Sequence, residues 1–189
     1  MIELNHLCVA IIATDGFEES ELVGPMNALK AKGAQVDVLA PKPEIQGFDH
    51  LDRKDTILAS RMIENARATD YDAVVLPGGM LSVDFLRSDP IVLEFVRQMQ
   101  SQSKPIAAIC HAPWILVSAG LVRGRKLTAY HTLQDDIRNA GGEWLNQEVV
   151  LDSNWVTSRQ LSDLVAFNRE MIALFSRATP SVIHVAASA

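Results

Sequence analysis

Residues 106–114 read IAAICHAPW, and this stretch decides the fold. Its first four residues are apolar, as in a buried parallel strand, and Pro113 is typical of the first turn of a helix. Only residues 110–112 separate the two, so the chain passes from strand to helix through one sharp turn. Such a passage predicts an α/β domain with its chemistry at the carboxyl ends of the strands.

Outward from this stretch, short apolar runs alternate with amphipathic segments, which is typical of a parallel sheet covered by helices. The predicted strands are 7–13, 35–40, 56–62, 71–76, 106–109 and 126–130, followed by a hairpin over 149–157. The predicted helices are 18–32, 90–103, 113–119, 133–140 and 161–177. The polar segment 41–51 is predicted as a loop. The pattern indicates a doubly wound α/β sandwich, with one domain over 1–177 and a C-terminal tail over 178–189.

Composition excludes several classes of function. The 189 residues are 48% hydrophobic and carry a net charge of −6, so no basic face for a nucleic acid is expected. The apolar run 7–13 is too short to cross a membrane, and no targeting segment is recognisable. With only two cysteines, Cys8 and Cys110, a disulfide framework is not expected. These features predict a cytoplasmic protein with free thiols.

Three loops should meet at the carboxyl edge of the sheet, and they carry Glu18, Gly78 with Gly79, and Cys110 with His111. A thiol at a helix N-terminus has a lowered pKa, which predicts Cys110 as a nucleophile. The backbone N–H groups of His111 and of Gly78 or Gly79 are candidates for an oxyanion hole. His111 is either the general base or a residue that faces a neighbouring subunit. Taken alone, Cys110 would be interpreted as a small buried apolar residue, but the following histidine and the Gly-Gly loop favour the nucleophile.

Glu18 has two interpretations. A protonated carboxyl group donates a hydrogen bond to a thiolate, so Glu18 is predicted as an acid that orients Cys110. The alternative is an acid that favours the helix N-terminus, which fits Glu19 and Glu21 better. The acids near residue 18 show no repeated ligand spacing, so no metal is expected. Gly78-Gly79 is not a nucleotide fingerprint, and no cofactor is expected.

Six strings resemble the PfpI-like (intracellular protease I) family of the class I glutamine amidotransferase-like superfamily. They are DGFEESEL (15–22), VVLPGG (74–79), AICHAPW (108–114), AGLVRGRKLTAYH (119–131), DDIRNAGGEW (135–144) and VTSRQLSDLVAFN (156–168). The resemblance implies a flavodoxin-like three-layer sandwich with a mostly parallel sheet. It also implies a nucleophile at Cys110, an assisting acid at Glu18 and a histidine at His111. Peptidase-type members complete a triad with a Glu across a subunit interface, and here only Asp84 is available, displaced by about one position.

The resemblance leaves three functions open. The first is a stress-response enzyme of glyoxalase or deglycase type, which acts on reactive carbonyls through a Cys110 hemithioacetal. The second is a peptidase that takes Asp84 from a neighbouring subunit. The third is a redox-sensing protein in which Cys110 is oxidised to a sulfinate beside Glu18. The expected partners are a small carbonyl compound or a peptide and further copies of the chain. We expect such a copy to cover the apolar segment 182–187, Trp144 and Trp155.

Overall fold

A computed structural model describes residues 2–180, in which strands and helices alternate. The strands are β1 (Cys8–Ile12), β2 (Phe17–Glu18), β3 (Gln35–Ala40), β4 (Glu44–Asp49), β5 (Asp52–Leu58), β6 (Arg61–Met62), β7 (Ala73–Leu76), β8 (Ile106–Ile109), β9 (Lys126–Leu127), β10 (Glu143–Trp144), β11 (Val149–Asp152) and β12 (Trp155–Ser158). The α-helices are α1 (Glu19–Lys30), α2 (Met80–Leu86), α3 (Pro90–Ser101), α4 (Pro113–Ser118), α5 (Gln134–Asn139) and α6 (Leu164–Phe175). Short 3-10 helices lie at Ile63–Asn65, Ala68–Asp70, His131–Leu133 and Leu161–Asp163.

Seven strands form the central sheet in the order β11-β12-β8-β7-β1-β3-β6. Only β11 is antiparallel to its neighbour, and the other strands pair in parallel. Strands β1, β7 and β8 are buried along their whole length because helices cover both faces of the sheet. Helices α1 and α6 pack on one face, and α2 to α5 pack on the other. This arrangement confirms the predicted α/β sandwich with a mostly parallel sheet.

The prediction of a loop over 41–51 is wrong, because this segment contains β4. Strand β4 pairs in parallel with β2 and antiparallel with β5, which makes a second, three-stranded sheet. This sheet is polar because it is buried on one side only. Ile45 of β4 is buried, whereas the residues of β5 are mostly exposed. The predicted strand 56–62 is two strands in the structure. Its first residues belong to β5, and only Arg61–Met62 joins the central sheet.

Several other predictions can be compared with the structure. Helix α3 begins at Pro90, as predicted, and its N-cap Asp89 accepts a hydrogen bond from the N–H of Ile91. Helix α2 was not predicted, and strand β9 is shorter than expected. Trp155 is buried, so it needs no cover from another subunit, whereas Trp144 is half-buried. The apolar segment 182–187 lies outside the described residues. Among residues 2–180, no helix is long and apolar enough to cross a bilayer.

Candidate active site

Cys110 occupies the predicted turn between β8 and α4. Its φ of 61° is in the left-handed region, which costs a non-glycine residue about 1 kcal/mol or more. Two backbone hydrogen bonds hold this conformation: the N–H of Cys110 donates to the carbonyl of Ser158 (3.1 Å), and its carbonyl accepts from the N–H of Tyr130 (2.8 Å). The turn presents a half-buried thiol at the carboxyl edge of the sheet. The geometry is that of a nucleophile elbow.

Three neighbours surround the sulfur of Cys110. The Nδ1 atom of His111 lies 3.2 Å from Sγ. Hydrogen bonds from the backbone N–H groups of Gly79 and His111 lower the pKa of the thiol. Their role in an oxyanion hole stays a prediction. The N–H of Gly78 does not take part, because it donates to Oε2 of Glu21 at 3.0 Å. The prediction that included Gly78 among the oxyanion donors therefore needs correction.

The carboxyl group that contacts Cys110 belongs to Glu21. This side chain is 1% exposed, bonds to the N–H of Gly78 and makes a side-chain hydrogen bond with Cys110. Gly78 makes this contact possible, since a Cβ atom at that position would lie 2.7 Å from Cβ of Cys110 and would also meet the Glu21 carboxylate. The assignment of this contact to Glu18 is wrong because residue 18 ends β2, whereas Glu21 lies on the buried face of α1.

Burial, and after it the charge of Glu18, raise the pKa of Glu21 to about 8. Glu21 is therefore mostly protonated at neutral pH. The pKa of Cys110 is raised by burial and by the charge that Glu21 carries when ionised, against the N–H groups of His111 and Gly79. The predicted lowering of this pKa is wrong, because α4 has only six residues and burial outweighs its effect. A protonated Glu21 removes the opposing charge and can donate to a thiolate.

Glu18 lies at the rim of the same cavity and has other contacts. Its Oε2 accepts a hydrogen bond from the N–H of His50 at 3.1 Å. Its Oε1 is buried and has no hydrogen-bond partner among the described residues. The negative charge of Glu18 raises the pKa of Glu21 and so favours the protonated form of Glu21.

Two aromatic rings fix the orientation of His111. The Tyr130 ring stacks on its imidazole with a centroid distance of 4.6 Å and an interplanar angle of 28°. The next residue, His131, packs against Tyr130 at 4.5 Å. Burial and the charge of His131 both lower the pKa of His111, so its imidazole is neutral at neutral pH. A neutral Nδ1 beside Sγ is a proton acceptor for the thiol.

A cavity of about 770 Å³ opens above Cys110. Its lining combines the polar groups already described with apolar side chains, which are Phe48, Leu51, Met80, Leu81 and Leu161. Gln160 and Ser162 complete the opposite wall. Several of the apolar residues are strongly exposed, including Leu51 at 93%. The mouth can thus receive a group carried on a larger molecule.

Asp84 is not one of the residues that line this cavity. It lies on α2, its side chain is 65% exposed, and its Oδ1 is 3.9 Å from Nη1 of Arg87. Within one chain Asp84 therefore does not join Cys110 and His111. Its predicted contact with a neighbouring subunit stays a prediction.

The sequence contained a signal for Glu21 that the prediction did not use. Residues 21, 25 and 29 follow one another at helical spacing, and all three are buried on α1. An acid on the apolar face of a helix is rare unless it is paired, so the position of Glu21 in the sequence indicates a functional residue. Phe48 and His50 were missed for another reason, since they belong to the segment predicted as a loop.

The fold and the site define a class of α/β proteins with a cysteine at a strand-to-helix turn and a buried acid beside it. Comparison with known proteins identifies this class: residues 8–174 match the DJ-1/PfpI family, and the chain belongs to that family. It is 38% identical to protein/nucleic acid deglycase 2 of Escherichia coli, over 88% of this chain and 96% of the relative. It is 36% identical to deglycase PfpI of Pyrococcus furiosus, over 88% and 98%.

The solved structures agree with this assignment. A two-domain protein from Anabaena variabilis, with DJ-1/ThiJ/PfpI-like and ferritin-like domains, superimposes with a TM-score of 0.84 at 33% identity. The match covers 88% of this chain and 47% of that chain. The family resemblance given by the sequence is confirmed, and the names of the relatives support a deglycase-type function.

Proposed function

We propose that the protein is a cysteine-dependent deglycase that removes adducts of reactive carbonyls such as methylglyoxal. One observation carries the proposal: the Cys110 thiol opens into the cavity with His111 Nδ1 at 3.2 Å and the buried carboxyl of Glu21 in contact. A base, a thiol and a protonated acid are the groups that this chemistry needs. The names of the relatives, deglycase PfpI and deglycase 2, support the same activity.

In the first step, Nδ1 of His111 accepts the proton of the Cys110 thiol while the sulfur attacks, because the raised pKa of the thiol and the lowered pKa of the imidazole disfavour a free thiolate. The sulfur carries a developing negative charge that the N–H groups of Gly79 and His111 and the O–H of Glu21 stabilise. It forms a C–S bond with the carbinol carbon of the methylglyoxal adduct, and the C–N bond to the modified amine breaks. The freed amine takes the proton from His111. The product on the enzyme is a hemithioacetal of Cys110.

In the second step, neutral His111 removes the proton from the hemithioacetal carbon and returns it to the adjacent ketone carbon, while the hydroxyl proton on the hemithioacetal carbon passes to the ketone oxygen. This isomerisation gives a thioester of lactic acid. The N–H groups that stabilise the sulfur also stabilise the oxyanion that forms when water adds to this thioester. The C–S bond then breaks, lactate leaves, and the Cys110 thiol is restored. The same steps convert free methylglyoxal to lactate, starting from addition to the aldehyde.

The test uses N-acetylarginine and N-acetylcysteine that have been modified with methylglyoxal. Release of lactate is measured for the wild type, for Cys110→Ser and for Cys8→Ser as the matched control. We expect lactate with the wild type and with Cys8→Ser, and none above background with Cys110→Ser. Full activity of Cys110→Ser would disprove the proposed nucleophile. Cleavage of a casein substrate without lactate release would favour the peptidase instead.

The proposal includes a setting for this activity. Reactive carbonyls accumulate with metabolism and stress, so we place the protein in the cytoplasm as a stress-response enzyme. The exposed apolar residues around the cavity, such as Leu51 and Met80, are compatible with assembly into a dimer or larger homo-oligomer. Sedimentation of a monomer at micromolar concentration would contradict this part of the proposal and leave the chemistry intact.

A further inference from the structure

A second group of ligand-type side chains lies at the mouth of the cavity. Glu18 ends β2, Asp49 ends β4, and His50 follows in the turn between β4 and β5. Parallel pairing of β2 with β4 sets Glu18 opposite Phe48, so the three side chains meet at one end of the second sheet. One ligand atom from each lies within 4.8 Å of the other two. None of the three is used by the chemistry proposed for Cys110.

The donor set is one imidazole and two carboxylates. Zn²⁺ binds these groups at about 2.0–2.2 Å in a tetrahedral arrangement and commonly takes water as its fourth ligand. Two ligands of one such ion are separated by roughly 3.3–3.6 Å, so the side chains need to close by about 1 Å. His50 is 77% exposed and Asp49 47%, which leaves both free to make this adjustment and leaves space for water.

Glu18 gives an independent indication of a cation. Its Oε2 is fixed by the N–H of His50, but Oε1 is buried and has no partner among the described residues. A buried carboxylate oxygen is seldom left without a hydrogen bond or a cation, because its desolvation is then not compensated. A metal ion bound beside His50 would supply the missing interaction. Lys54 lies 3.5 Å from Oδ2 of Asp49, and among residues 2–180 no ion pair joins a lysine or arginine to Glu18.

We propose that Glu18, Asp49 and His50 form a binding site for a divalent transition-metal ion of the Zn²⁺ type at the mouth of the Cys110 cavity. The His50–Asp49 hydrogen bond of 2.9 Å would open, and Nδ1 of His50 and a carboxylate oxygen of Asp49 would turn to the ion. Glu18 Oε1 would be the third ligand. Since Glu18 and His50 both line the cavity, the ion would stand beside the entrance for substrate.

The test is a titration of chelator-treated protein with Co²⁺, which reports tetrahedral coordination by its visible absorption, followed by displacement with Zn²⁺. The variants are His50→Ala and Asp49→Asn, and His6→Ala is the matched control because His6 is exposed at the opposite end of β1. We expect one Co²⁺ per chain for the wild type and His6→Ala. Loss of a ligand should weaken binding by at least about tenfold in His50→Ala and Asp49→Asn.

The Cys110→Ser variant tests whether the metal ion binds to the thiol instead of this site. A Co²⁺–thiolate complex has an intense near-ultraviolet charge-transfer band, which we expect to be absent from the wild type. Equal binding by wild type and His50→Ala, no stoichiometric binding, or a thiolate band that disappears in Cys110→Ser would each overturn the proposal. The measurement does not depend on turnover, so its failure leaves the proposed deglycase activity untouched.

Discussion

Replacement of Glu21 by Gln tests the buried acid directly. Gln keeps the shape of the side chain, and its carbonyl oxygen can still accept the hydrogen bond from the N–H of Gly78. Gln cannot ionise, so the substitution removes only the titratable proton of Glu21. In the folded protein the pKa of Glu21 is raised from 4.5 to about 8, chiefly by burial. The folded state therefore holds this proton more tightly than the unfolded state does.

The sign of the effect on stability follows from linkage. A group whose pKa is raised by folding stabilises the folded protein fully at a pH below its pKa in the unfolded chain. This stabilisation is lost as the pH rises through its pKa in the folded protein. For a pKa that moves from 4.5 to about 8, the loss across this interval is roughly 5 kcal/mol. The Gln variant has no such loss. Relative to the wild type, it should gain stability steadily between pH 4.5 and 8 and gain no more above that range.

The assay is urea unfolding of both proteins at pH 5, 6.5, 8 and 9, with EDTA present to keep metal ions from Glu18. The quantity of interest is the difference between the two free energies of unfolding at each pH, because other titrating groups cancel in it. Glu19→Gln, at a half-buried position of the same helix turn, is the control for the loss of a carboxylate from α1. A difference for Glu21→Gln that changes by less than about 1 kcal/mol would refute a buried, protonated Glu21.

Three further predictions concern the site. Limiting iodoacetamide should label Cys110 before Cys8 in peptide mapping, because the Cys110 thiol opens into the cavity whereas Cys8 is buried within β1; earlier labelling of Cys8 would contradict this. Gly78→Ala should cost about 1–3 kcal/mol by overpacking and should abolish activity, whereas Gly120→Ala, which meets nothing within 4 Å but is strained by about 1 kcal/mol at its φ of 74°, should retain it. Asp84→Ala should keep its activity, and mixing it with Cys110→Ala subunits should add little, since Asp84 is exposed and outside the cavity; an inactive Asp84→Ala whose activity is restored by mixing would indicate a shared triad.

The sequence was most informative where local chemistry and burial agree. The strand-to-helix turn at Cys110 was predictable because an apolar run, a cysteine and a first-turn proline follow without a break. The loops that carry Gly79 and His111 also meet at the carboxyl ends of the parallel strands, where sites in such sheets form. These features depend on periodicity and on the direction of the strands, and both can be read from a single sequence.

The remaining parts of the site depend on tertiary contacts. Glu18 and Glu21 are chemically identical, and only the rotation of α1 about its axis decides which of them faces the sulfur. Strand β4 was predicted as a loop because a strand buried on one side by a distant residue, here Phe17, has no continuous apolar pattern. The pKa of Cys110 was also predicted with the wrong sign, since the depth of burial is not a property of the local sequence.

Glu21 connects the stability of the fold to its proposed chemistry. A glutamine at this position would fold as well at low pH and better at pH 8, because it carries no proton to lose. It would donate only a neutral N–H to the thiolate, whereas a protonated carboxyl donates a stronger O–H and can also release a proton. The unfavourable burial that destabilises the protein at high pH is therefore the same property that keeps Glu21 protonated beside Cys110. A variant that gains stability at pH 8 and loses deglycase activity would demonstrate both effects at one residue.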